Sequence, residues 1–271
     1  MPELPEIVLF ARQMKRELVG KTIRAIEVLQ PKSLNVPEGE FVAGLTGAQI
    51  ADVIPRGKWL FVETTQGWLL LSLGMGGEIL YLPYRDALPP KRRLVFDFSD
   101  GTCLSVNFWW FGYAHFVCPG QLEAHKMTVK LGPNALDLST EDLRAMLHKR
   151  RGQIKSFLLD QSQLAGIGNF YVHDILFLAR LHPRRAMDAL SDAEIEALAQ
   201  AIHDRLQLSI DKGGAGYEMN LYGQKGGFTM DDIHIGYREG EPCPACGTTI
   251  EKIKTGSTSS FICPRCQPLD G

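Results

Sequence analysis

The sequence predicts an α+β chain of several modules. These are an antiparallel β-sandwich behind an opening helix, a helical second half, and a small four-cysteine ribbon at the end. Three observations predict it. Short runs rich in Val, Leu, Phe and Trp, punctuated by Gln66-Gly67 and Asp100-Gly101, fill residues 46–118. Strands separated by tight turns are what stacked antiparallel sheets require. From about residue 139 the apolar residues recur at helical spacing instead. Two Cys-x2-Cys pairs, Cys243/Cys246 and Cys263/Cys266, close the chain. A length of 271 residues with 45% hydrophobic content suits two domains plus a small module. The expected limits are 1–130, 135–225 and 235–271.

Each element has its own signal. Residues 3–18 carry apolar positions at helical spacing and no glycine, with Pro5 in the first turn and Glu3 and Glu6 at the positive helix end. Cys103 and Cys118 lie in apolar, strand-like segments and are expected as buried core thiols. In the second half, Ser139 precedes Asp142 by three and Ser191 precedes Glu194 by three, both N-cap patterns, the second a full capping box. Ile195, Leu198, Ile202, Leu206 and Ile210 lay an apolar stripe along a helix at 192–211. Two shorter helices, 154–160 and 169–180, flank Gly166-Ile167-Gly168. Those glycines allow a tight turn and close approach of backbone to a phosphate, with Asn169 at a helix start. Gly213-Gly214 and the glycine-rich 222–227 stretch lead on to the ribbon.

Composition sets limits. No run of eighteen apolar residues and no signal peptide is present, so neither a membrane span nor secretion is indicated, and a cytoplasmic setting is expected. The formal net charge is −2. That balance does not advertise a nucleic-acid binder, but a polyanion responds to the local field. Basic residues cluster at Lys91-Arg92-Arg93, at Lys149-Arg150-Arg151 with Lys155, and at Arg184-Arg185. Any one of these clusters also reads as a solvated face.

The two ends carry chemistry. The chain opens Met1-Pro2-Glu3-Leu4-Pro5-Glu6. Removal of Met1 would expose Pro2 as a secondary amine with a pKa of about 7.7–8.0, a fair fraction of it unprotonated at neutral pH. Such an amine can attack an electrophilic carbon and form an iminium. Glu3 is a carboxyl able to move a proton beside it. At the other end, C-x2-C-x16-C-x2-C offers four thiolates on two knuckles to one Zn²⁺, with room for a hairpin between them. Two disulfides are the alternative, and nothing else about the chain looks secreted. A ribbon this small buries no core of its own, so the metal would supply most of its folding energy.

Together the MPELPE opening, Lys58, Gly166-Ile-Gly-Asn-Phe-Tyr171 and the C-terminal four-cysteine finger resemble the formamidopyrimidine-DNA glycosylase and endonuclease VIII family. The resemblance covers nearly the whole chain, in the family's order. It implies a two-sheet β-sandwich flanked by helices, a helix–two-turn–helix domain, and a finger holding one structural zinc on Cys243, Cys246, Cys263 and Cys266. It implies a protein that binds damaged double-stranded DNA, flips the damaged base, and removes it; nothing in that mechanism requires a partner subunit, so a monomer is expected. Pro2 would attack C1′, Glu3 would protonate or polarise the opening sugar, and the Schiff base would lose the 3′ phosphate by β-elimination. Lys58 matches a lysine that contacts phosphate beside the lesion, and Lys155 and Asn169 match further phosphate contacts. Met75 and Phe111 match the wedges that fill the hole left by the flipped base. In isolation, Met75 also reads as a core gap-filler and Phe111 as a core aromatic.

The chain departs from the family pattern in four places. Trp109 and Trp110 stand where two arginines usually precede Phe-Gly, one of them probing the opposite base. Tryptophan stacks but has a single donor. Thr258 stands five residues before the third cysteine, where an arginine grips phosphate, and keeps a hydrogen bond while losing the charge and the fork. Asp174 replaces a glutamate. Residues 213–228 do not match the loop that caps 8-oxoguanine. The expectation is a divergent branch whose lesion need not be 8-oxoguanine, with weaker DNA grip and poorer δ-elimination. The alternative is a non-catalytic protein that binds damaged or abasic DNA.

Overall fold

The computed structural model describes residues 1–269. The chain folds as two units. The first is Met1–Lys130 with Lys212–Gly227, and the second is Leu131–Asp211 with the chain from Phe228 onward. Sequence reading put 212–225 with the helical domain, whereas the folded segment returns to the first unit.

The first unit opens with α1 (Leu4–Leu18), then β1 (Ile23–Val28), α2 (Glu38–Leu45), β2 (Ile50–Arg56), β3 (Trp59–Thr64), β4 (Gly67–Ser72), β5 (Glu78–Leu82), β6 (Leu94–Phe98), β7 (Cys103–Asn107) and β8 (Tyr113–Val117). The strands form two four-stranded sheets, ordered β1-β6-β7-β5 and β2-β3-β4-β8. Every pairing in both is antiparallel. Thr64 pairs with Gly67, so the two-residue turn is Thr65-Gln66, one residue ahead of the Gln66-Gly67 turn expected, and Gly67 opens β4. The apolar face of α1 (Ile7, Phe10, Met14, Leu18) joins Leu60, Val62, Leu69 and Leu71 of one sheet and Phe96, Leu104 and Val106 of the other in one core. Burying a side chain of this size contributes roughly 1.5–3 kcal/mol. A charge at fully buried Met14 would therefore break the packing of helix on sheet. Two elements carried too weak a pattern to be foreseen, β1 and α2. The two-turn α2 is held by Phe41 and Leu45, both fully buried.

Cys103 is buried as expected, but Cys118 is exposed. It lies one residue beyond the end of β8, where the chain leaves the sheet, and the apolar run before it stays inside. On β8, His115 Nδ1 lies 2.8 Å from His125 Nε2, and His125 Nδ1 lies 2.8 Å from Thr128 Oγ1. Burial, with His125 beside it, lowers His115 to about 4, so this chain of polar groups is neutral at pH 7.

The second unit holds α3 (Thr140–Leu147), α4 (Ile154–Leu159), α5 (Val172–Leu178), α6 (Asp192–Asp211), and the hairpin β9 (Glu251–Thr255) with β10 (Thr258–Ile262). Both serine caps form. Ser139 Oγ accepts from Asp142 N–H at 3.1 Å, and Ser191 and Glu194 exchange the two bonds of a capping box. α5 is shorter than the predicted 169–180. Asn169–Tyr171 form turns ahead of it, and Arg180 takes a left-handed φ of 56° just past its end. Among the described residues no helix is long and apolar enough to cross a membrane.

Candidate active site

In the first unit the N-terminus is built around two carboxylates. Glu3 is the N-cap of α1, and Glu6 Oε2 returns to accept the Glu3 N–H at 2.9 Å. The other Glu6 oxygen accepts Ala215 N–H at 3.0 Å. Glu3 and Glu6 are each only 4% exposed, and Pro2 is buried. The partner segment, Lys212–Gly227, is a closed clasp: Gly227 N–H reaches Lys212 O at 2.7 Å, and Gly226 N–H reaches Glu218 O at 3.3 Å. Leu221 anchors the clasp in the core. Its N–H donates to Gln13 Oε1 at 3.0 Å, and its carbonyl accepts from Tyr81 N–H at 2.9 Å. A Cβ on Gly226 would collide with the Gly214 carbonyl, so glycine is required for the clasp to close. Glu218 Oε1 faces the N-terminal ammonium at 3.2 Å. Sequence reading missed this clasp. Its local signals are the Asn220–Gly223 turn and the aliphatic Leu221.

Lys58 is half-buried in the two-residue turn between β2 and β3, after Gly57 at φ 59°. The next residue, Trp59, stacks on Tyr113 with ring centroids 6.0 Å apart. The β4–β5 and β7–β8 loops are joined where Met75 N–H reaches Trp110 O at 2.8 Å and Trp110 N–H reaches Met75 O at 3.3 Å. From that junction Met75, Trp109, Trp110 and Phe111 project with exposures of 46, 71, 61 and 68%. The core readings of Met75 and Phe111 are therefore excluded. Gly74 has no room for a Cβ against the Trp110 carbonyl, and a Cβ on Gly76 would lie 3.3 Å from the Trp109 ring. Phe111 holds a φ of 59°, strained for an aromatic residue.

In the second unit the Gly166–Gly168 turn is pinned by Gln161. Its Oε1 accepts Gly166 N–H at 2.9 Å, and its Nε2 donates to Ile167 O at 2.9 Å. Asn169 follows, with Oδ1 buried and unpartnered among the described residues. Lys155 departs from expectation. It is 2% exposed, and its ammonium points into the β9–β10 hairpin, not outward to a phosphate. It donates to Thr255 Oγ1 (3.2 Å), Thr258 Oγ1 (3.0 Å), Ser259 O (2.6 Å) and Ser260 Oγ (2.8 Å). Burial pushes it down to about 8, which leaves it protonated at neutral pH. The residue at the place of the family arginine, Thr258, is thus tied to a buried cation. Asp174 accepts the N–H groups of His234 (2.8 Å), Ile235 (3.0 Å) and Gly236 (3.1 Å) and lies 3.7 Å from Arg205. Burial opposes its charge, but His234, Arg205 and the backbone donors hold its carboxyl below the usual range.

Cys243, Cys246, Cys263 and Cys266 bring four Sγ atoms within 4.8 Å of one another, with Cys243–Cys266 at 3.9 Å and Cys246–Cys263 at 3.4 Å. Tetrahedral zinc with Zn–S of about 2.3 Å needs sulfur atoms about 3.8 Å apart, so the cage fits. Phe177, Ile235, Ile250 and Phe261 pack around it, and Gln267 Nε2 ties the last knuckle to Leu181 O at 2.8 Å.

Three family descriptions match the chain in order. They are the formamidopyrimidine-DNA glycosylase N-terminal domain over residues 1–107, its H2TH domain over 131–220, and the zinc finger found in FPG and IleRS over 240–269. The four cysteines are accordingly the site of one structural zinc. The formamidopyrimidine-DNA glycosylase of Streptococcus pneumoniae strain R6 is 35% identical over 280 residues and is covered completely, as is this chain. That of Pelotomaculum thermopropionicum is 36% identical over 278 residues, covering 99% of this chain and 100% of its own. Among solved structures, Lactococcus lactis Fpg in complex with abasic-site DNA superposes with a TM-score of 0.88 at 29% identity, covering 98% of this chain and 99% of its own. MutM with carbocyclic 8-oxo-G DNA does so at 0.88 and 31%, covering 98% and 100%. Agreement of this kind along the whole length, on a chain whose buried N-terminal carboxylates and thiol cage stand where the motifs lead, makes the protein a member of the formamidopyrimidine-DNA glycosylase family.

Proposed function

We propose that this protein is a DNA glycosylase and abasic-site lyase that works through its own N-terminal amine on damaged duplex DNA. The observation that carries the reading is the N-terminus itself. Pro2 is buried just ahead of α1, with Glu218 of the clasp on the Met1 ammonium before it and the N-cap Glu3 after it. An unremarkable helix start has no use for a buried carboxylate brought from a distant loop to the N-terminal amine. The DNA complexes of the structural neighbours support damaged DNA as the partner.

With Met1 removed, the Pro2 nitrogen forms a bond to C1′ while the glycosidic bond breaks and its electron pair leaves with the base. The Pro2 nitrogen gives up its remaining proton to solvent and Glu3 supplies one to O4′ as C1′–O4′ opens, leaving an iminium. The iminium acidifies C2′–H. Loss of that proton forms the C2′–C3′ double bond and expels the 3′ phosphate. Lys58, on its hairpin turn, neutralises phosphate beside the lesion. Met75, Trp110 and Phe111 fill the space vacated by the flipped base, as exposed apolar side chains on glycine-hinged loops are suited to do. The orphaned Asn169 oxygen belongs to an amide whose nitrogen can meet phosphate beside the 166–168 turn. Lys155 acts indirectly, by stiffening the finger hairpin that carries Thr258. With no arginine there, δ-elimination after the β step is expected to be weak.

The test is borohydride trapping on an oligonucleotide with one abasic site, with Pro2→Gly and a form that retains Met1 run alongside. A covalent adduct with the processed protein, lost when Met1 stays, is the expected result. Tight binding with no adduct would replace the enzyme reading with that of a damage-binding protein.

A further inference from the structure

Glu218 takes no part in the family resemblance or in the steps above, yet its placement is specific. Its side chain is 11% exposed, and its partner among the described residues is the N-terminal ammonium at 3.2 Å. The loop that carries it is rigid. Glu218 N–H donates to Ala215 O at 3.0 Å, its carbonyl accepts from Gly226, Met219 bridges Lys225, and Leu221 is wholly buried three residues on. Glu6 is already occupied, one oxygen on Glu3 N–H and the other on Ala215 N–H. Glu218 therefore offers a carboxylate to the amine that is not consumed by holding backbone. The charges acting on it are the N-terminal ammonium, which favours its ionised form, and the Glu6 and Glu3 carboxylates of α1, which oppose it. Burial is the largest influence, and the balance lifts its carboxyl above the ordinary range. A carboxyl lifted in this way accepts a proton from the amine more readily than an ordinary carboxylate does.

We propose that Glu218 is the base that frees the N-terminal amine for attack. The proposal rests on the Pro2 reading above. Consecutive residues lie about 3.8 Å apart, so when Met1 is removed the new ammonium remains within the swing of the Glu218 side chain. The Glu218 carboxylate takes one of the two N–H protons of the Pro2 ammonium. The freed lone pair forms the bond to C1′, the glycosidic electron pair departs with the base, and the base takes the proton held by Glu218. The net change is one proton moved from amine to leaving base, with the carboxylate regenerated. On an abasic aldehyde both N–H protons of the ammonium, the first by way of Glu218, end on the carbonyl oxygen, which leaves as water.

Two roles for Glu218 predict opposite signs. A mere counter-ion stabilises the ammonium, so Glu218→Gln would lower the amine's pKa and speed attack at neutral pH. A base accelerates attack, so the same variant slows it where the amine is protonated. The experiment is the rate of borohydride-trapped adduct on abasic-site duplex for Met1-free wild type and Glu218→Gln. It is run between about pH 6 and pH 9, either side of the ordinary amine pKa. A melting temperature and the affinity for a duplex with an uncleavable abasic analogue serve as fold controls. We expect Glu218→Gln to be slower by at least about tenfold at the acid end and to approach wild type at the alkaline end, where the amine deprotonates unaided. Equal or faster trapping at the acid end would overturn the proposal and leave the Pro2 reading standing. No adduct from wild type at any pH would overturn both. If the Gln variant fails to fold, Glu218→Asp carries the test. Its shortened reach should slow trapping at the acid end alone, and an unchanged rate there would overturn the proposal.

Discussion

At the scale of single residues, the departure from the family pattern that bears on the strand opposite the lesion is the pair Trp109 and Trp110. Trp109 and Trp110 replace a pair of arginines and stand 71 and 61% exposed on a junction that glycines hold in one shape. Indoles offer a large stacking face and one N–H, so they bind a base without asking which one it is. Two consequences follow for measurement. Trp110→Ala should weaken binding to an abasic-site duplex by about 1–3 kcal/mol, the usual worth of one base–aromatic stack. Wild type should excise a given lesion at nearly the same rate whichever base lies opposite, with Trp109→Arg restoring discrimination. A wild-type enzyme that already discriminates strongly would show that the indoles do not face the opposite strand. These residues were legible in the sequence because each sits in a short motif. Glu218 was not, since nothing local marks a glutamate that meets the N-terminus from more than two hundred residues away.

At the scale of elements, the finger hairpin encloses a cation that arrives from a helix far away in sequence. The β9–β10 hairpin lacks the family arginine at Thr258, yet Lys155 of α4 sends its ammonium into the same hairpin and meets four oxygen acceptors there. The sequence showed a lysine inside a basic cluster and predicted a surface contact. It could not show that a neighbouring hairpin of Thr255, Thr258 and Ser260 would enclose the charge, because the residues that satisfy it lie about a hundred positions on. Lys155→Met keeps the stem and removes the donors, leaving those oxygens without the ammonium. Leaving buried oxygen acceptors without their donor costs about 1–3 kcal/mol. Urea unfolding of the variant should register a loss of that order, and affinity for DNA should fall as the hairpin loosens. A variant as stable as wild type would mean that the hydroxyls re-pair among themselves, as Thr255 and Ser260 already do at 2.6 Å.

At the scale of the whole molecule, the order of modules was legible because each announces itself locally: the turn-punctuated strands, the serine-capped helices and the paired cysteines. What was not legible is the path of the chain between them. Residues 212–227 follow α6 and precede the finger, so by position they read as a link between helix and ribbon. Leu221 in the sandwich core and Ala215 on Glu6 bring them back to the first unit instead. The consequence is an asymmetry in what each unit needs to stay folded. The first has a core shared by a helix and two sheets. The finger has a small apolar cluster, two strands of five residues and four thiols. In a module that small the metal contributes most of the folding free energy. Removing zinc with a chelator under reducing conditions should therefore abolish amide protection across about residues 240–269, the span of the finger, while the strands of the sandwich stay protected. DNA binding should fall with the finger and return when zinc is restored. If the sandwich lost protection in the same step, the two units would be one cooperative fold, and the clasp would be stabilised by the finger as well as by its own core.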